Sequence, residues 1–225
     1  EASVDVVLEA GAIAPAVGAD PVLAERAATL AKADLVTDMV GEFPELQGTM
    51  GRYYARHDGE SPAVADAVAQ HYWPRYAGDA LPEGPVAQAV ALADKLETLA
   101  GLFGLGQTPT GDKDPFGLRR AALGILRIVI EGRLPPPLPD LVSAAFAAFE
   151  GVPAVKPAAA ALEDFIYDRL RGSLRDQGFT ANQIAAVVDA RPAGLRHVPG
   201  RPDAGRAFEL LPEADALAAG REHAH

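Results

Sequence analysis

The stretch GPVAQAVALADKLETLAGLFGLGQTPTGDKDPFGLRRAALGILRIVIEG, residues 84–132, decides the fold class. Gly84-Pro85 places proline at the first position of a helix that continues through ALADKLETLAGLF, a position where proline is well tolerated. Asp114-Pro115 repeats this arrangement, and apolar residues then recur at helical spacing up to Gly132, which predicts a C-terminal stop. The stretch therefore predicts two helices joined by a glycine-rich turn.

The same signals recur along the rest of the chain. Further helices are predicted from Asp20-Pro21 to about residue 40, from Ser61-Pro62 to about residue 72, over 141–149, over 162–177, and after a cap at Thr180. No segment shows the period-two alternation of a convincing strand. The sequence predicts an all-α fold of eight to ten helices.

Two proline-rich segments, RLPPPLPD and GVPAVKPAAA, predict a domain boundary because proline stiffens a connection. We expect a helical bundle over 1–132, a proline-rich connection with one short helix over 133–158, and a smaller helical region over 159–225. A second linker is predicted over 191–205. The chain begins with Glu1 rather than methionine, which indicates a segment of a longer protein.

Composition limits the possible functions. Of 225 residues, 49% are hydrophobic and 23% charged, which is typical of a globular chain. The net charge of −11 opposes autonomous RNA binding, since neutralising phosphates supplies most of that affinity, but it permits a local basic strip within an assembly. The absence of cysteine excludes a thiolate zinc site and suits the cytoplasm. No apolar run approaches the roughly 20 residues of a membrane span.

Basic residues form the first candidate site. Arg52 and Arg56 are four apart, and Arg120 and Arg127 are seven apart, so each pair shares a helix face. The candidates for contact with RNA phosphates are Arg52, Arg56, Lys113, Arg119, Arg120 and Arg127. The alternative is a solvated face paired with acids, as Arg127 would pair with Glu131. GLFGLGQ follows no predicted strand, so a phosphate-binding loop is not expected there.

Five segments occur in order between about residues 17 and 192: DLVTDMVGEFPELQGTMGRYYARHDGE, PRYAGD, ADKLETLAGLFGLGQ, PTGDKDPFGLRRAALGILRI and DRLRGSLRDQGFTANQIAAVVDARP. Together they resemble the β subunit of the bacterial two-subunit glycyl-tRNA synthetase. The resemblance implies a cytoplasmic α2β2 enzyme that joins glycine to tRNA(Gly), with ATP used by the α subunit. This chain would be an HD-domain-like bundle and part of the next helical region, contributing tRNA contact and scaffolding without a cofactor, a membrane or catalytic residues of its own.

Three segments, LAKADLVTDM, YYARHDGE and ALADKLETL, also resemble the HD superfamily of metal-dependent phosphohydrolases. They place Asp34, His57 and Asp94 at positions that in that superfamily hold a divalent ion to activate water. Ala33 stands where a histidine is expected, so the site is predicted to be vestigial and without metal. His71 is expected to be structural or exposed. The alternatives are a working HD-type phosphohydrolase and a purely structural interaction domain.

Overall fold

The computed structural model describes residues 4–198, which form ten α-helices and no β-strand. The helices are α1 (Val4–Ile13), α2 (Pro21–Leu30), α3 (Asp38–Glu42), α4 (Thr49–His57), α5 (Pro62–Gln70), α6 (Pro85–Gly104), α7 (Leu118–Glu131), α8 (Leu138–Ala148), α9 (Ala159–Asp176) and α10 (Ala181–Val188). Short 3-10 turns span Ala14–Val17, Ala33–Val36, Pro44–Leu46 and Leu195–His197. The predicted all-α class is confirmed. Residues 199–225, which include the ends of the predicted second linker and third region, lie outside the described residues.

Three predicted helix starts are confirmed by their side-chain caps. The Asp20 carboxylate accepts a hydrogen bond from Val22 N at 2.8 Å, and Ser61 Oγ accepts one from Val64 N at 3.3 Å. Thr180 forms a reciprocal capping box with Gln183. Each cap satisfies a backbone N–H that has no partner within the first helical turn.

The helix predicted from Pro21 to about residue 40 is wrong, because α2 ends at Leu30. Lys32 has a φ of 66°, a left-handed conformation that a right-handed helix cannot include. A 3-10 turn and the short α3 follow it. The chain therefore turns sharply just before Asp34.

Helix α7 begins later than predicted. Gly117, with a φ of 67°, precedes it, and Phe116 lies outside the helix with half of its surface exposed. The predicted cap still acts, because the Asp114 carboxylate accepts hydrogen bonds from Leu118 N at 2.8 Å and Arg119 N at 2.9 Å. The helix ends at the predicted stop, Gly132.

Helix α6 is the centre of the molecule. Thirteen of its 20 residues are buried, and it packs against α1, α2, α5, α7, α8 and α9. A single apolar core extends along the described chain from Val6 to Val198. Helices α8 and α9 join the same core, so the core is continuous across both predicted boundaries. Among residues 4–198, no helix has both the length and the apolar character needed to cross a bilayer.

Gly104 lets the segment after α8 approach α6 closely. A Cβ atom at this position would lie 2.3 Å from Val155 Cγ1. Lys156 N donates a hydrogen bond to Gly104 O at 2.9 Å. The absence of a side chain therefore allows a backbone contact between α6 and the proline-rich segment.

We expect Leu96→Ala to destabilise the protein by about 3 kcal/mol, because Leu96 is fully buried on α6 and its removal leaves a cavity. The matched control is Leu105→Ala, just beyond the same helix, where half of the side chain is exposed and the loss should stay below about 1 kcal/mol. Denaturant unfolding measures both. Equal losses would contradict the central position of α6.

Candidate functional site

Asp34 anchors the backbone that precedes and begins α4. It lies in the 3-10 turn Ala33–Val36 and is 2% exposed. Its Oδ2 accepts hydrogen bonds from Gly48 N at 2.6 Å and Gly51 N at 3.1 Å. A Cβ atom at Gly51 would lie 2.8 Å from Val68 Cγ1 and 3.2 Å from the Asp34 carboxylate carbon. The close approach of α4 to this carboxylate therefore depends on glycine.

Asp94, on α6, forms an ion pair with Lys32. The Lys32 side chain is 38% exposed and the Asp94 side chain 16% exposed. The pair connects two residues 62 positions apart and fixes the turn after α2 against the central helix. Two of the three predicted HD positions are thus located at this turn: Asp34 lies within it, and Asp94 contacts it through Lys32.

Lys95, the neighbour of Asp94, is a second cation in this region and is only 7% exposed. Its Nζ donates a hydrogen bond to the carbonyl of His71 at 3.0 Å. Burial lowers the pKa of Lys95 to about 8, against the opposing effect of the Asp94 carboxylate. Gly124 on α7 makes room for this side chain, since a Cβ atom there would lie 2.9 Å from Lys95 Cε.

His71, directly after α5, is 1% exposed. Its Nδ1 lies 2.8 Å from Val68 O, and because a carbonyl only accepts, Nδ1 carries the proton. Nε2 is then an unprotonated acceptor, and it has no hydrogen-bond partner within the described chain. Burial lowers the pKa of His71 to about 4, although Asp94 raises it, so the ring is neutral at pH 7.

The structure does not bring His57 to Asp34 and Asp94. His57 is the last residue of α4 and is exposed. The histidine that interacts electrostatically with Asp94 is His71, whose burial agrees with the structural role expected for it. The signal that could have selected His71 is its position immediately after the apolar helix PAVADAVAQ.

Most of the charged groups in this arrangement already have partners, and Asp34 Oδ1 and His71 Nε2 are the buried atoms of the arrangement without one among residues 4–198. One Asp34 oxygen is held by backbone N–H groups, and Asp94 already faces the ammonium group of Lys32. A further ammonium group, that of Lys95, is buried beside them. Within residues 4–198, no group of three or more His, Cys, Asp or Glu side chains is placed to hold a metal ion. The cluster of Lys32, Asp34, His71, Asp94 and Lys95, which we call the charge cluster, joins the elements around α6.

The predicted pair Arg52 and Arg56 shares one acidic partner. Both guanidinium groups contact the carboxylate of Asp66 on α5, at 2.7 Å and 3.1 Å respectively. Both side chains remain nearly half exposed. Because two cations share one anion, this face of α4 keeps a local positive charge.

The basic candidates near α7 differ in their contacts. Arg119 donates to the carbonyl of Gly111, and Arg127 Nε donates to Glu131 at 2.8 Å, the pairing anticipated as the alternative to RNA contact. The side chains of Lys113 and Arg120 form no ion pair with any residue in the described range 4–198. Arg120 and Arg127 line one cleft, as their shared face predicts. We call it the α7–α9 cleft, because α7, the end of α9 and the loop 74–78 enclose it.

These features are those of an all-α protein whose acidic cluster is balanced by its own lysines and whose candidate basic residues lie on α4 and around α7. The chain belongs to the family of glycyl-tRNA synthetase beta subunits, whose model matches residues 5–189.

The similarity to curated relatives covers most of the chain. The glycine–tRNA ligase beta subunit of Ralstonia nicotianae is 60% identical over 210 residues, which is 93% of this chain and 30% of that protein. That of Dechloromonas aromatica is 63% identical over 196 residues, which is 87% of this chain and 28% of that protein. The chain thus spans under a third of the length of these relatives.

We expect Asp34→Ala to lower the free energy of unfolding by about 3 kcal/mol, because two buried backbone N–H groups lose a charged acceptor. Asp34→Asn retains an oxygen acceptor and should lose less. Asp112→Ala, at an exposed loop position, is the matched control and should change stability by less than about 0.5 kcal/mol. Urea unfolding of the three variants tests this, and an Asp34→Ala variant as stable as the control would contradict the anchoring role.

His71 should make stability depend on pH in the acidic range. Its pKa is about 4 in the folded protein and 6.5 in the unfolded chain, so the unfolded state binds more protons between these values and stability falls as pH drops through that window. From pH 7 to pH 5 this contributes a loss of about 2 kcal/mol. His71→Gln should lack that contribution in guanidinium unfolding at the two pH values. The same pH dependence in both proteins would show that His71 is not protonated on unfolding.

Proposed function

We propose that this chain is a non-catalytic segment of the β subunit of glycine–tRNA ligase, which supports the ATP-dependent attachment of glycine to tRNA(Gly) through tRNA contact and subunit scaffolding. The observation that carries the proposal is the 60% identity to the Ralstonia nicotianae β subunit over 93% of the chain. An α subunit is the proposed partner, in an α2β2 assembly in the cytoplasm. That subunit would use the ATP, and this chain would bind no cofactor.

The charge cluster supports a non-catalytic role. A metal-dependent phosphohydrolase needs carboxylates and imidazoles free to hold an ion that activates water. Here Lys32 faces Asp94, Lys95 is buried beside it, and His57 lies apart at the exposed end of α4. The ion pair of Asp94 and the backbone hydrogen bonds of Asp34 favour a structural use of these residues, while Asp34 Oδ1 and His71 Nε2 are buried without a hydrogen-bond partner among residues 4–198.

Local positive charge supports tRNA contact by an acidic chain. Phosphate contacts depend on cations near the surface rather than on the net charge of the whole molecule. Arg52 and Arg56 share one carboxylate, and Arg120 and Lys113 have no ionic partner in the described part of the chain. The proposed contacts are therefore on α4 and around α7.

The test is an exchange of segments between related β subunits. The residues of the Ralstonia nicotianae β subunit that align with this chain are replaced by this sequence, and glycine charging of tRNA(Gly) is measured with the α subunit of that organism. We expect the rate of glycine charging to stay within about tenfold of the rate of the parent enzyme, because a segment that is 60% identical should pack in the same way.

A second β subunit, with the same segment deleted, is the comparison. We expect it to lose charging while the α subunit keeps its ability to activate glycine with ATP. Charging that is unchanged by the deletion would contradict the proposal. Loss of glycine activation in the exchanged protein would also contradict it, because adenylation is assigned to the α subunit.

A further inference from the structure

The α7–α9 cleft has the dimensions of a ligand site. Its volume is about 520 Å³, within the range of roughly 300–1,000 Å³ typical of small-molecule pockets. Loop 74–78, α7 and the last turn of α9 line it. Of the charge cluster, Lys95 approaches this lining at Gly124.

Three arginines line the cleft, and they are not equivalent. Arg75 Nε contacts Asp79 at 3.2 Å, and Arg127 is paired with Glu131. Arg120 has no ionic partner among residues 4–198 and is exposed. Arg120 can therefore bind an anion without first giving up a salt bridge, which makes it the primary cation of the cleft.

Apolar surface lies beside these charges. Tyr76 is 61% exposed and Leu123 is 37% exposed, and both line the cleft. An exposed tyrosine ring next to arginines is suited to stack a nucleobase while the arginines neutralise its phosphate. The carboxylate of Asp176, which is exposed and lines the cleft, can accept hydrogen bonds from the amino groups of a base.

A buried lysine, Lys95, lies behind α7 where that helix lines the cleft. Gly124 lines the cleft, and a Cβ atom there would lie 2.9 Å from Lys95 Cε and 3.7 Å from Pro74 Cδ. The alkyl chain of Lys95 thus lies directly behind this part of α7. The Lys95 ammonium group interacts with the Asp94 carboxylate, so the charge that attracts an anion to the cleft comes from the arginines.

We propose that the α7–α9 cleft binds a single unstacked nucleotide of an RNA strand, with the base on Tyr76 and the phosphate on Arg120. This rests on the proposed function, since tRNA is the RNA that the assembly would present. An acidic peptide matches the arginines but leaves the exposed tyrosine and the Asp176 carboxylate unused. A nucleotide uses the ring, the cation and this carboxylate together.

The experiment measures binding of fluorescein-labelled probes to the 225-residue chain by anisotropy. The probes are a tRNA(Gly) transcript, a single-stranded RNA tetranucleotide, a blunt RNA duplex and a hexaglutamate peptide. We expect Tyr76→Ala to raise Kd about tenfold for tRNA and tetranucleotide, and Tyr76→Phe to stay within about twofold because the ring is kept. Arg120→Ala should weaken binding and lower the salt dependence by about one phosphate contact.

Arg26→Ala, at an exposed arginine of α2 that does not line the cleft, is the matched control and should leave all Kd values unchanged. Thermal unfolding verifies that the variants fold, as expected for exposed side chains.

The outcomes separate this proposal from the proposed function. Binding of tRNA that Tyr76→Ala and Arg120→Ala leave unchanged would overturn the nucleotide site and leave tRNA contact intact. Absence of tRNA and tetranucleotide binding by the unaltered chain would overturn the nucleotide site, whereas the charging assay above decides the proposed function separately. Hexaglutamate binding that depends on Arg120, without tetranucleotide binding, would assign the cleft to a protein partner and overturn the nucleotide.

Discussion

The burial of α6 constrains everything that surrounds it. This helix is covered by six others, yet it carries two adjacent charged residues, Asp94 and Lys95, in the middle of its length. A buried charge is strongly unfavourable unless it is paired or hydrogen-bonded. The surrounding chain supplies those partners: Lys32 comes from the turn after α2, and the His71 carbonyl comes from the end of α5. The packing of α6 therefore depends on the charge cluster, which supplies partners for its two charged residues.

The need for partners around α6 explains why Asp34 and Asp94, at the HD-like positions, have structural roles. Asp34 uses its carboxylate to hold the backbone amides of Gly48 and Gly51, and so sets the path of the chain into α4. Lys32 and Lys95 provide fixed positive charge close to Asp94. Burial and the nearby Lys32 and Lys95 favour the neutral form of His71, against the opposing effect of Asp94. Arginines that are exposed to a partner lie on α4 and along the α7–α9 cleft.

Much of the fold follows from local sequence signals such as helix caps. Asp20, Ser61 and Thr180 cap helices as predicted, because a cap depends only on a side chain and the next three backbone amides. The extended α2 was wrong because the left-handed turn at Lys32 is stabilised by a partner 62 residues away. The start of α7 was displaced because Asp114 reaches its amides across an intervening turn at Gly117.

The sequence by itself determined the all-α class, most helix positions and the family, since these depend on residue order and local hydrogen bonding. Only the tertiary structure decided which histidine is near Asp94, which arginines are already paired and which ones line a cleft. The sequence resemblance selected His57 for the HD-like position, but the end of α4 faces solvent and the end of α5, with His71, faces α6. Burial and ion pairing depend on elements distant in the chain, and no local pattern records them.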